Sequence, residues 1–277
     1  DDSPVYYSQI LPVIYTEILT QTRCLVLHAM NLSHGLFRVR LRPKILLAET
    51  YEEAMQLINS YHYNLLGVIS DVRFPRDGVL DPAAGFALAQ NVRELMPDLP
   101  FLLQSEEMDN AVRAKTMHLP FLDKNSPNLL QNLRNYILDS YGFGSFVFKR
   151  PDGSVIGEAS DITNLERMIR DLPADSLHYH ASNNDFSRWF RARAELEVAE
   201  QLRVVDTDDL GSVDDIRAYI LQVLNDYFRK YQSGLILDFE GLSKKDMENA
   251  KNDAVNNAKQ DAANTLKDKV DETLGTK

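Results

Sequence analysis

The chain has 277 residues, of which 44% are hydrophobic, and a formal net charge of −11. This composition can form the core of one large or two ordinary domains, and it argues against broad attraction to nucleic acid or anionic lipid. The single cysteine, Cys24, cannot form an intramolecular disulfide, and no Cys/His spacing typical of zinc sites occurs. No apolar run approaches the roughly 18 residues of a membrane span, and no signal-peptide pattern opens the sequence. We therefore expect a cytoplasmic protein without a membrane partner.

The chain opens with a predicted helix. Apolar residues recur at helical spacing from Val5 to Leu19, which predicts about five turns with a kink at Pro12. Residues 23–40 are interpreted as an insertion between the first helix and the next strand, although residues 37–40 also belong to the alternating pattern described next. Phe37 to Arg42 alternates apolar residues with arginines, which indicates a half-exposed strand, and a phosphate-binding row is the alternative.

The next hundred residues alternate short apolar runs with amphipathic stretches. The runs predict buried strands at residues 45–48, 65–70, 101–104 and 121–123, and the stretches predict helices at 51–61, 86–95, 106–117 and 127–140. Residues 76–84, rich in Asp, Gly and Pro, predict a loop. Such alternation predicts a doubly wound α/β fold with a parallel sheet covered on both faces. Right-handed crossovers then bring the carboxyl ends of its strands to one edge.

Polar residues follow three of these strands. Asp71, Ser105 and Lys124 each stand directly after an apolar run, or within two residues of its end. Ligands bind at the carboxyl ends of the strands in open parallel sheets, so these residues are candidates for one site. For Asp71 taken alone, a turn former or the N-cap of the next helix is the alternative.

The order of these residues resembles the receiver domain of two-component response regulators over about residues 1–140. The resemblance also uses the acidic pair Asp1-Asp2 and Pro75, four positions after Asp71. It implies a flavodoxin-like, doubly wound sheet. The family places a strand just before the acidic pair, and that strand is missing here, with Leu235-Ile236-Leu237-Asp238 as a conceivable substitute.

The resemblance implies phosphoryl chemistry at Asp71. Asp71 would attack the phosphohistidine of a sensor histidine kinase and become an aspartyl phosphate. Carboxylates crowded together repel one another, and the hard cation Mg2+ relieves that repulsion while binding phosphoryl oxygens. The implied site consists of the Mg2+ ligands Asp1, Asp2, Asp71 and Arg73, the charge-holding residues Ser105 and Lys124, and the switch aromatic Phe121. Enzymatic activity would be limited to the receiver's own phosphorylation and dephosphorylation.

Besides the missing strand, the sequence departs from the family pattern at three places, and Glu106 together with the missing strand keeps another function open. Glu106 stands where the family usually has a small residue, Asn125 stands where it usually has proline, and the 76–84 loop is longer than usual. One alternative is a pseudo-receiver, a module for protein interaction that is never phosphorylated. Another is a hydrolase or phosphatase that uses the same carboxylates.

The second half predicts a smaller α+β, mostly helical domain. Tyr141-Gly142 marks a boundary, and the predicted domains are residues 1–141, 142–240 and 241–277. The last of these is a charged, Ala-rich tail that is either helical or disordered. The other predicted elements are a hairpin at 146–156 and helices at 161–171, 184–202 and 212–231.

Two histidines in this half have a structural and a chemical interpretation. His178 and His180, with Asp185 nearby, fit packing and hydrogen bonding, and a metal site is the alternative. The surrounding segment resembles the region that follows the receiver in bacterial phosphoenolpyruvate-synthase-like proteins. That resemblance implies output through a downstream protein or enzyme module and not through DNA. In the receiver family, the helix after Lys124 is a usual homodimer face.

Overall fold

The structure is a computed structural model that describes residues 4–27, 42–204 and 211–233. Within these ranges the protein is a mixed α/β protein with a parallel sheet of three strands. Several predicted features lie outside them: Asp1 and Asp2, nearly all of the strand at 37–42, the segment Leu235 to Asp238, and the tail at 241–277. In the described part of the chain, no helix is both long and apolar enough to cross a membrane.

The first half alternates helices and strands, as its sequence predicts. Its helices are α1 (Pro4–Leu27), α2 (Tyr51–Tyr61), α3 (Ala84–Leu95), α4 (Asp109–Thr116) and α5 (Leu129–Ser140), with a 3-10 turn at His62–Asn64. Its strands are β1 (Val68–Asp71), β2 (Phe74–Arg76), β3 (Val79–Asp81), β4 (Phe101–Ser105) and β5 (Phe121–Asp123). Helix α1 continues through Pro12, where the sequence predicts a kink.

The parallel sheet has the order β1-β4-β5 and packs helices on both faces. All five residues of the central strand β4 are buried, as expected for a strand covered on both sides. Leu102 packs with α1 and α5, whereas Phe101 and Leu103 pack with α2 and α3, because successive side chains of a strand point to opposite faces. The register pairs Asp71 with Gln104 and sets the strand ends beside one another.

The predicted strand at residues 45–48 is wrong. These residues form no strand, and Leu46 and Leu47 are 45% and 54% exposed. A strand needs a neighbour that satisfies its backbone groups. In the implied fold, that neighbour is the strand before the acidic pair, which is not among the described residues. Among those residues β1 pairs with β4 alone.

The predicted loop at residues 76–84 contains a hairpin instead. Strands β2 and β3 are antiparallel and turn at Asp77 and Gly78, whose φ angles are +53° and +74°. An Asp-Gly pair with two positive φ angles matches the twist of a two-residue hairpin. Pro75 fits because a two-stranded ribbon consists of edge strands, where a missing N–H is tolerated.

The second half packs a small hairpin against helices around its own core. Its elements are β6 (Phe146–Lys149), β7 (Val155–Ala159), α6 (Ile162–Asp171), α7 (Ala174–Ser182), α8 (Asp185–Arg191), α9 (Leu196–Gln201) and α10 (Val213–Ser233). The predicted hairpin is confirmed. Phe148, Leu177 and Trp189 belong to one buried cluster that spans the hairpin and α6 to α10.

The single helix predicted at 184–202 is wrong, because the chain breaks between α8 and α9. Ala194 has a φ of +60°, a left-handed conformation that a right-handed helix cannot contain. Beside the break, the Arg193 guanidinium donates hydrogen bonds to the carbonyls of Gly142 and Gly144, and it stacks on the Trp189 ring. These tertiary contacts have no trace in local helix propensity.

Side-chain contacts join the two halves. Arg203 donates two hydrogen bonds to the Asp98 carboxylate, at 2.9 and 2.7 Å. Gln21 of α1 donates to the carbonyl of Ala192 at 3.2 Å and accepts from the Gly144 amide at 3.0 Å. Ala192 packs in the core of the first half. The halves are therefore held by specific polar contacts as well as by apolar packing.

Gly85 allows α3 to approach β1 closely. A Cβ atom at this position would lie 2.1 Å from the Asp71 carbonyl oxygen. Gly85→Ala in a helix ordinarily stabilises by about 0.5–1 kcal/mol, but here we expect destabilisation of about 1–3 kcal/mol because backbone must move. Urea unfolding measures the sign. The exposed Gln90→Ala variant of the same helix, which should stay within about 0.5 kcal/mol of the wild type, is the control.

The Asp98–Arg203 pair predicts acid sensitivity. Burial by itself would raise the pKa of Asp98, but the hydrogen bonds and charge of Arg203 outweigh it and hold that pKa below its usual value. The stabilisation is therefore present above the unfolded pKa of about 3.9 and is lost as the pH falls through the folded pKa. Asp98→Asn should lower the free energy of unfolding by about 1–3 kcal/mol at neutral pH.

Chemical unfolding between neutral pH and about pH 3 tests this expectation, because the gap between wild type and variant should close on acidification. The control is Asp175→Asn, which disrupts an exposed ion pair with Arg150 and should cost less than about 1 kcal/mol. A gap that stays constant across this pH range would contradict the assignment.

Candidate functional site

The structure brings Asp71 and Lys124 together. The Lys124 Nζ lies 2.7 Å from Oδ2 of Asp71, and their side chains are only 7% and 14% exposed. Asp71 ends β1, and Lys124 follows β5 and donates its backbone N–H to the Ser105 carbonyl at 3.0 Å. Strand ends on either side of β4 thus supply a paired anion and cation.

Neighbouring backbone orients the Asp71 carboxylate. Its Oδ1 accepts a hydrogen bond from the Val72 N–H at 2.8 Å, so both of its oxygens have donors. The Ser70 hydroxyl donates to the Asp71 carbonyl oxygen at 2.8 Å. These contacts and the close approach of Gly85 hold both the backbone and the side chain of Asp71 in place.

Ser105 lies at the end of the neighbouring strand and is buried. Its Oγ accepts hydrogen bonds from the Glu107 amide and the Asn110 side chain, both at 3.1 Å. A hydroxyl also carries one donor hydrogen, which is the group that a phosphoryl oxygen requires. Glu106, the unusual residue after Ser105, is exposed, and its carbonyl accepts from the Asn125 side chain.

Tyr6 and Gln104 belong to the site, although the sequence interpretation missed them. The Tyr6 hydroxyl donates to Oε1 of Gln104 at 2.7 Å, and the Lys124 Nζ lies 4.2 Å from the centroid of its ring. Burial, and then the Asp71 charge, raise the pKa of the Tyr6 phenol well above its usual value. Gln104 carried a signal, since a polar residue at the end of a buried apolar run needs a partner.

The remaining predicted residues occupy different positions. Phe121 is half-buried and packs with the core cluster on the α2 and α3 side of the sheet. Arg73 is 60% exposed, with a guanidinium nitrogen 3.9 Å from the Glu107 carboxylate. A cationic side chain cannot bind Mg2+, so Arg73 could serve only through its backbone carbonyl.

The donors present suit a hard cation, but only part of the predicted set is described. Asp71 offers a carboxylate and Arg73 a carbonyl, and oxygen ligands of this kind are those that Mg2+ prefers. Asp1 and Asp2 lie outside the described residues, which contain no group of three His, Cys, Asp or Glu side chains suited to a metal. Tyr6, in the first turns of α1, contacts the site through Gln104.

His180 is a buried hydrogen-bonding residue. Its Nε2 accepts from the Lys149 amide at 2.8 Å, and its Nδ1 lies 2.6 Å from the Asp185 carboxylate. Both ring nitrogens are therefore used by the protein. The structure thus favours packing and hydrogen bonding over a metal site here. His178 is exposed, and its Nδ1 lies 3.2 Å from the Ser182 hydroxyl.

Comparison with known proteins identifies one related segment. Residues 153–236 match a family described as a family of unknown function (DUF5752). The match covers most of the second half and none of the Asp71 site. No curated protein and no solved structure matches the chain.

The Asp71–Lys124 pair predicts a specific energetic pattern. Lys124→Met should lower the free energy of unfolding by about 2–4 kcal/mol, because it leaves the nearly buried carboxylate without its cation. The Asp71→Asn/Lys124→Met double variant should lose less than Lys124→Met alone, since neither charge remains. Urea unfolding of the full double-mutant cycle measures the coupling.

Lys149→Met is the matched control, since its exposed pair with Asp139 spans 4.0 Å and should contribute less than about 0.5 kcal/mol. A double variant less stable than Lys124→Met would contradict a coupled pair.

Proposed function

We propose that this chain is a response regulator whose first unit, residues 1–141, accepts a phosphoryl group on Asp71 with Mg2+. Its second unit, residues 142–240, passes the signal to a protein or enzyme module and not to DNA. The observation that carries the proposal is the 2.7 Å pair of Asp71 and Lys124, beside Ser105, at the carboxyl edge of a parallel sheet.

The chemistry follows from the groups at this edge. An Asp71 oxygen forms a bond to phosphorus while the N–P bond of a phosphohistidine breaks. The electron pair of that bond stays on the imidazole nitrogen, which then takes a proton. The phosphoryl oxygens stay negatively charged throughout the transfer, and Lys124 and the Ser105 hydroxyl would donate hydrogen bonds to them.

Mg2+ would supply further positive charge at the phosphoryl oxygens, held by Asp71 and the Arg73 carbonyl together with Asp1 and Asp2. The Asp71 carboxylate must first release Lys124, since both of its oxygens accept hydrogen bonds. Lys124 keeps a hydrogen-bond acceptor during this exchange, because a phosphoryl oxygen replaces the carboxylate oxygen as its partner.

The fold and the surroundings of the site support the same class. Three parallel strands with helices on both faces, seen in the described part of the chain, suit a doubly wound, flavodoxin-like receiver. A sensor histidine kinase is then the donor, and α5, where Leu130 is exposed, is a candidate homodimer face. The second unit would pass the signal on, and a phosphoenolpyruvate-synthase-like enzyme is one candidate target.

A pseudo-receiver is the second candidate, and one observation favours it. Asp71 already accepts hydrogen bonds at both oxygens, and its charge is balanced by Lys124. Such a carboxylate can serve as a structural partner of Lys124 alone. The module would then act through protein contacts, with no phosphorylated state.

Intact-mass measurement distinguishes the two functions. The full chain is incubated with Mg2+ and acetyl phosphate, whose O–P bond breaks to release acetate. We expect a mass gain of one phosphoryl group that chelation of Mg2+ prevents. The gain should be absent in Asp71→Asn, because an amide oxygen is a poor nucleophile toward phosphorus.

Asp77→Asn is the matched control and should retain the gain. Asp77 is a hairpin-turn residue with positive φ, a conformation that Asn adopts readily. No mass gain from acetyl phosphate or from a phosphorylated kinase domain, or a gain that persists in Asp71→Asn, would reject Asp71 as the acceptor.

A further inference from the structure

We infer that helix α1 couples the Asp71 site to the second unit, so that the charge state at Asp71 and Lys124 controls the contacts of Gln21 with Gly144 and Ala192. The inference rests on the proposed function and names its internal output.

The N-terminal part of α1 contacts Lys124 and Gln104 at the Asp71 site. Tyr6 places its ring 4.2 Å from the Lys124 ammonium and its hydroxyl on Gln104, the buried residue paired with Asp71 across the sheet. An ammonium over an aromatic face is attracted to that ring, and the attraction depends on the distance between them. A shift of Lys124 therefore acts directly on the first turns of α1.

The C-terminal half of α1 contacts the second unit through Gln21. The buried side chain of Gln21 uses its amide as a donor to the Ala192 carbonyl and its oxygen as an acceptor from Gly144. Gly144 lies near the start of the second unit, and Ala192 directly follows α8, so one side chain bridges two separate segments. Hydrogen bonds weaken steeply with distance and angle, which makes this bridge sensitive to small movements of α1.

The helix between these ends can transmit a displacement. Tyr6 and Gln21 are 15 positions apart, which is about 22 Å along a helix with a rise of about 1.5 Å per residue. About one turn before Gln21, the buried Glu17 carboxylate accepts a hydrogen bond from Arg134 of α5 at 2.7 Å. Helix α1 is thus joined to α5, the helix that follows Lys124, and the two would move together.

Phosphorylation supplies the change that this helix would transmit. When a phosphoryl group bonds to Asp71, Lys124 exchanges a carboxylate oxygen for a phosphoryl oxygen, which lies farther from the carboxyl carbon. The ammonium then takes a new position relative to the Tyr6 ring. Because Tyr6 also holds Gln104, α1 adjusts as a unit, and the Gln21 bridge is where the second unit receives the change.

Hydrogen exchange tests the coupling in the full chain. Exchange is followed by mass spectrometry in peptides that cover residues 142–146 and 189–196, with and without Mg2+ and acetyl phosphate. We expect phosphorylation to change exchange in both segments by about threefold or more. In Gln21→Ala the change should be lost while the phosphoryl mass gain remains, and Gln9→Ala, exposed on the same helix, should respond like the wild type.

Gln21→Glu is a second variant, because it retains the acceptor for Gly144 and replaces the donor to Ala192 with a carboxylate oxygen that the Ala192 carbonyl repels. It should lose the response at 189–196 first, and melting curves confirm that each variant is folded. A phosphorylated protein without any response in these segments, or a full response in Gln21→Ala, would overturn the coupling.

A second arm separates this inference from the proposed function. If no phosphoryl group is gained, the acceptor role fails, and Lys124→Met then tests the coupling without phosphorylation. It removes the ammonium from Tyr6, so exchange at 142–146 and 189–196 should change relative to wild type, and adding Gln21→Ala should abolish that change. Unaltered exchange in Lys124→Met would reject the coupling on its own.

Discussion

The ion pair between Asp71 and Lys124 is the interaction on which this molecule's site depends. Two nearly buried charges are costly unless each has a partner in good geometry. Here the partners come from strands on either side of β4, so the pair requires the correct sheet order and register. The fully buried β4 between them supplies Gln104 and Ser105 to the same edge. The ion pair can therefore form only when the strands of the sheet have this order and register.

The surroundings of the pair extend it beyond the sheet. Gly85 lets α3 pack against the end of β1, and Tyr6 brings α1 onto Lys124. Because α1 also reaches Gly144 and Ala192 through Gln21, one helix touches both the charged site and the junction with the second half. A chemical change at Asp71 would thus meet a continuous set of packed and hydrogen-bonded groups.

Local pattern predicted those elements whose periodicity reflects their own burial. The strands at 101–104 and 121–123 and the hairpin at 146–156 have clear apolar patterns and turn residues, and all three occur. The prediction of a strand at 45–48 was wrong because a strand needs a neighbour to pair with. The prediction of one helix at 184–202 was wrong because tertiary contacts of Arg193 and the left-handed conformation of Ala194 interrupt it. The Asp77-Gly78 pair is typical of a hairpin turn, but the many Asp, Gly and Pro residues around it led to the prediction of a loop.

By itself, the sequence determined the α/β alternation and the order of Asp71, Ser105 and Lys124 at strand ends, because apolar runs and breakers mark where buried strands stop. Only the tertiary structure decided that Lys124 faces Asp71 at 2.7 Å and that Tyr6 and Gln104 join them. It alone also revealed the Gln21 bridge. Contacts between residues 98 positions apart, such as Tyr6 and Gln104, depend on how helices pack against a sheet, and no local periodicity encodes that packing.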